Sequence, residues 1–112
     1  MKKLYWVVLL AIFAIPAVAV AETFEGVALV DVNCSAKVKA DPDAHTRACA
    51  LQCQKSGFGI LTSDGTFLKL NPQGNQQVVQ LLSKSHKTDH LRVNVKGKVT
   101  AGALEVQSIS LE

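Results

Sequence analysis

Past residue 22 the chain falls into five short stretches of strand character, and the order in which helical patterns interrupt them limits the fold more than any other feature. Phe24 to Val32 alternates loosely and is rich in apolar and β-branched residues, which predicts a first strand. Gly59 to Thr62 and Thr66 to Leu70 flank Ser63-Asp64-Gly65, a tight turn in which Gly65 accepts positive φ, and so predict a hairpin. Asn71-Pro72-Gln73-Gly74 breaks the sheet pattern. Val78, Leu81 and Leu82 then recur at i, i+3 and i+4, the period of a short amphipathic helix ending near Lys84. Leu91, Val93, Val95 and Val99 alternate with polar residues, Ala101-Gly102 turns the chain, and Leu104 to Leu111 returns as a last strand with a slip near Gln107.

Five strands with a helix between the third and fourth is the element order of an OB-fold, a small, partly open Greek-key barrel that binds ligands through its interstrand loops. The expectation is therefore a mainly β, five-stranded OB-like barrel over residues 22–112 with two short helices. The first of these, which carries cysteine and histidine, is inserted between strands one and two. An insertion on a loop of a rigid barrel is a natural place for a site.

Residues 1–21 have the layout of a secretory signal peptide: Lys2 and Lys3, an apolar run from Leu4 to Ile15, Pro16, and the small-residue pattern Ala19-Val20-Ala21, with cleavage expected before Glu22. The apolar run falls short of the roughly 20 residues that a membrane span needs, and no cysteine follows it to accept a lipid. The mature chain is expected to be periplasmic or secreted, without a stable membrane anchor. Lys2 and Lys3 leave with the leader, so the net charge falls from +3 to +1 and gives no reason to expect an anionic membrane surface or nucleic acid as partner. The remaining aromatics, Phe24, Phe58 and Phe67, are plausible core residues, so single-stranded nucleic acid would find neither a stacking platform nor a positive groove. About ninety residues make one domain with a modest core.

All three cysteines lie between Asp31 and Gly59. Within that stretch Asp41, Pro42 and Asp43 read as the start of a helix and Lys55 and Gly57 as its end, about four turns on. On such a helix His45, Cys49 and Cys53 stand at i, i+4 and i+8 and share one face. Cys34, at the end of the first strand, is placed to supply a fourth ligand if the loop folds back.

Three thiolates and an imidazole suit tetrahedral Zn(II), and a subset of them suits Cu(I), so Cys34, His45, Cys49 and Cys53 form a candidate metal site. Their spacing is not that of a zinc finger. A structural disulfide is the competing expectation in an exported domain of this size, with Cys34 paired to Cys49 or Cys53, because two cysteines one turn apart on a helix are badly placed for each other. Thiol redox chemistry near His45 and plain core packing are further readings; the former lacks the helix N-terminus that usually lowers a thiol pKa. His86 and His90 stand four apart but look like solvated residues at a helix end. Asp31 is placed either to cap the loop or to orient His45, capping being the simpler role.

Gly26, Asp31 and Cys34, then His45, Cys49, Ala50, Cys53 and Gly57, and finally Val93, Val95, Gly97 and Val99 form a pattern that resembles a group of small exported bacterial OB-like proteins without a settled activity. The resemblance implies the same barrel and draws attention to the cysteine and histidine segment. No G-x-S-x-G elbow, H-E-x-x-H helix or glycine-rich phosphate loop signals a familiar enzyme. The expected function is a small exported metal-binding protein acting as carrier, sensor or structural centre. The alternative is a disulfide-stabilised module that binds an exported protein partner and holds no metal.

Overall fold

Five strands, β1 (Glu22–Asp31), β2 (Phe58–Leu61), β3 (Phe67–Leu70), β4 (Arg92–Thr100) and β5 (Ala103–Leu111), close into a barrel in the order β1-β2-β3-β5-β4. The structure, a computed structural model, describes residues 20–112. The leader assigned to residues 1–21 lies, up to residue 19, outside the described residues. All neighbouring strands are antiparallel except β3 and β5, which meet in parallel over Lys69 and Leu70 and close the barrel. With helix α2 (Pro72–Lys84) between β3 and β4, the architecture is the expected OB-like one.

Side-chain alternation explains where the core sits. Val27 and Leu29 join Phe58, Ile60, Leu68, Leu70, Val93, Val95, Leu104 and Val106 in one cluster, into which α2 sends Val78 and Leu82. Ala28 and Val30 point the other way and form a second cluster with Leu61, roofed by Val38 of the insertion and flanked by Phe67. Both faces of the end of β1 are thus covered, which is why Val27 to Asp31 reads as a continuous run and not as an alternating one.

The slip expected near Gln107 is a β-bulge. Lys96 pairs with Ser108 and Gly97 with Val106, leaving Gln107 unpaired. Beside it β4 and β5 approach so closely that a β-carbon on Gly97 would run into the Glu105 carbonyl oxygen. The stretch Asn71 to Gly74, read from the sequence as a break, is instead the first turn of α2. Asn71 is the N-cap and accepts the Gly74 N–H at 3.1 Å, and Pro72 takes the first helical position. The same Asn71 oxygen accepts the Val106 N–H at 3.2 Å and ties the helix to β5.

The cysteine segment departs from the expected single helix. A 3-10 turn at Pro42–Ala44 is followed by α1, which runs only from Arg47 to Gln52, and by another 3-10 turn at Gln54–Ser56. The Asp41 side chain caps nothing, whereas Thr46 Oγ1 accepts the Cys49 N–H at 3.1 Å and starts α1 there. His45 between them is extended, with φ −69° and ψ 125°, so the i, i+4, i+8 stripe does not form. Gly57, at φ +84°, ends the segment as its left-handed preference suggests.

Polar anchors tie this insertion to the barrel. Arg92 forks onto Asp43 through Nε and Nη2, each at 2.9 Å, and donates a third bond to the Gly26 carbonyl. Arg47 donates to the carbonyls of Lys87 and Leu82, reaching the end of α2. The Arg92 guanidinium holds the Asp43 carboxyl below its usual range. Its stabilisation is therefore present above the ordinary carboxylate pKa of about 4 and is lost as pH falls through it toward the lowered folded value. Asp43→Asn is expected to cost on the order of 1 kcal/mol at pH 7, allowing for solvent screening of a half-exposed pair, or about 4–8 °C in Tm. The gap to the unsubstituted protein should narrow as pH falls below about 4 and close at the pH where Asp43 of the folded protein is itself protonated, so that both lack the ionised partner. A gap that persists undiminished in thermal scans at that pH would refute the assignment.

Candidate metal centre at the neck of the insertion

Asp31 is the last residue of β1, pairs with Phe58, the first residue of β2, and is 0% exposed. An antiparallel pair brings both ends of whatever is inserted between its strands to one place. The Val32 N–H donates to the Gly57 carbonyl at 2.9 Å and pins the two ends together. Cys34 leaves from one side of this neck and Cys53 returns on the other.

A carboxylate oxygen of Asp31 and the sulfurs of Cys34 and Cys53 all lie within 4.8 Å of one another. Among the described residues no other three His, Cys, Asp or Glu side chains gather as closely. Cys34 ends the 3-10 turn Val32–Cys34, which Asp31 caps by accepting the Cys34 N–H on Oδ2 at 3.0 Å. Cys53 is the first residue past α1, and its sulfur receives a weak contact from Asn33 Nδ2 at 3.7 Å. Burial pushes the Cys34 thiol above its ordinary pKa, and the Asp31 carboxylate and the Cys53 sulfur push it the same way. That direction is the opposite of the one found at fast, catalytic thiols and leaves this pair to exchange slowly.

Behind the cluster, His45 Nε2 lies 2.7 Å from Asp31 Oδ1, with both side chains almost wholly buried. The contact is short but off the ideal hydrogen-bond direction, and neither atom has another polar partner. Asp31 therefore fills both roles considered for it, cap and histidine partner.

Of the four residues expected to ligate, the structure brings Cys34 and Cys53 together and places His45 one contact away, against Asp31. Cys49 is exposed and stands outside the group. His86 and His90 are exposed as well, the latter bonded to Asp89 at 2.8 Å. Asp31 was legible as a neighbour of the site but not as a member of the cluster; the signal lay in its place at the end of β1, three residues before Cys34. A groove of about 610 Å³ between β1, Lys39–Pro42 and the β2–β3 turn contains no thiol and shares no residue with the cluster.

Removing the imidazole leaves a buried carboxylate without its only counterpart on Oδ1. His45→Ala is expected to destabilise the fold by about 2 kcal/mol, the scale of leaving a buried polar group without its neighbour, as read by urea unfolding. A loss below about 1 kcal/mol would mean that water or a shifted side chain satisfies Asp31 without cost.

The chain matches no protein-family model, no curated protein and no solved structure, so what the cluster does has to be read from its own atoms.

Proposed function

We propose that the chain is an exported protein that binds one transition-metal ion, Zn(II) or Cu, through Asp31, Cys34 and Cys53, as a carrier, sensor or structural centre. One observation carries this reading: a carboxylate with 0% exposure converges with two thiols within 4.8 Å. Negative charge gathered in a buried place is unfavourable by itself, and a bound cation turns that repulsion into attraction. Carboxylate with thiolates suits Zn(II), and the thiolate pair alone suits Cu(I). Three protein donors leave a tetrahedral position open to water or to a ligand from a partner, which favours exchange of the ion over permanent burial. His45 would act from behind, holding the Asp31 carboxylate in place.

Native mass spectrometry with zinc competition tests the assignment. The mature chain is expected to carry one ion, Cys34→Ser and Cys53→Ser to carry none, and Cys49→Ser to bind as before. His45→Gln should weaken binding by about 10- to 100-fold, the usual scale for losing an outer contact to a ligand. Full affinity in a Cys34→Ser/Cys53→Ser double variant would overturn the reading. Export is tested on the same material, since a mature mass beginning at Glu22 in the exported fraction is the expected outcome.

The second reading, a Cys34–Cys53 disulfide with no metal, draws on the same sulfur separation. It would close a loop of about twenty residues and add about 3 kcal/mol. It predicts a mass two hydrogens light and one alkylatable thiol, that of Cys49.

A further inference from the structure

The metal and the disulfide compete for the same two sulfurs. We propose that they are alternate states of one pair: the ion is held while Cys34 and Cys53 are reduced, and oxidation to the Cys34–Cys53 disulfide expels it. This gate rests on the metal reading above and adds its regulation.

The geometry suits both states. Two thiolates on one tetrahedral Zn(II), each at about 2.3 Å from it, stand roughly 3.8 Å apart, and a disulfide draws them to about 2.05 Å. The sulfurs here, within 4.8 Å, are open enough to admit an ion and close enough to bond after side-chain rotation. Neither cysteine is locked in the middle of a regular element. Cys34 ends a three-residue turn, and Cys53 follows α1 at φ −100° and ψ 17°. Rotation about their χ1 bonds breaks no ladder. Meanwhile the Val32 N–H to Gly57 bond, at 2.9 Å, holds the neck together in either state. The exposed Cys49 lies outside the group and is left as the third, unpaired thiol.

The step balances with a small-molecule disulfide, RSSR, as oxidant. One protein thiolate attacks RSSR, whose S–S bond breaks and releases RS⁻. The second thiolate attacks the protein sulfur of the mixed disulfide and releases the second RS⁻. Two electrons pass from the cysteine pair to the reagent, one S–S bond is lost and one is formed, and the divalent ion leaves because Asp31 alone cannot retain it.

The test uses the unsubstituted mature chain, zinc alone, glutathione disulfide as oxidant and a phosphine as reductant, with intact mass, peptide mapping and zinc competition as readouts. The reduced chain is expected to bind one zinc. The oxidised chain should show a Cys34–Cys53 peptide and bind at least about 100-fold more weakly, since it loses donors and not just an outer contact. Phosphine should restore binding, and zinc loaded beforehand should slow oxidation. Formation of the disulfide with zinc affinity unchanged would overturn the gate and leave metal binding intact at other donors. Reduced protein that binds zinc but yields no Cys34–Cys53 bond would likewise overturn the gate alone. If the reduced chain binds no metal, the metal reading itself falls, and the gate with it.

Discussion

A single buried carboxylate organises the insertion. Asp31 ends β1 at a position with 0% exposure, and each of its oxygens holds a different part of the segment that follows. Oδ2 starts the turn that carries Cys34, and Oδ1 draws in His45 from eleven residues further on, which interrupts what would otherwise be a longer helix. The interruption moves the start of α1 to Thr46 and so places Cys53 just beyond its end. Had the helix begun at Asp41, Cys53 would stand within regular helix and its sulfur would lie on a stripe with Cys49. The contact with Asp31 is formed, and the local capping signal at Asp41 and Pro42 is not used to start α1.

That contest also explains which parts of the structure the sequence disclosed. Strands and turns that depend on neighbours in the chain were legible: the Ser63–Gly65 turn, the Ala101-Gly102 turn, and even the bulge at Gln107, because period-two alternation fails visibly where a residue is extra. The start of α2 was missed although Asn71-Pro72 carries the cap-then-proline signal used to begin a helix at Asp41-Pro42. Gly74, which looked like a breaker, sits in the first turn with Val106 packed against it, where a larger side chain would not fit. The grouping of the candidate ligands was half legible for the same reason. Spacing along a supposed helix could group Cys49 with Cys53, but only the pairing of Asp31 with Phe58 across the sheet could bring Cys34 to Cys53.

The insertion is held by contacts in which no sulfur takes part. Arg92 grips Asp43, Arg47 reaches the carbonyls at the end of α2, Val38 covers the outer cluster, and the Val32 to Gly57 bond closes the neck. In a zinc finger the ion supplies the folding energy and the metal-free peptide is unfolded. Here the scaffold has its own apolar cluster and its own ion pair, so a bound metal or a disulfide would add to a fold already formed. A site that is formed before it is filled can lose its ion and keep its shape, and that separation of chemistry from folding is what a carrier or sensor needs and a structural centre does not.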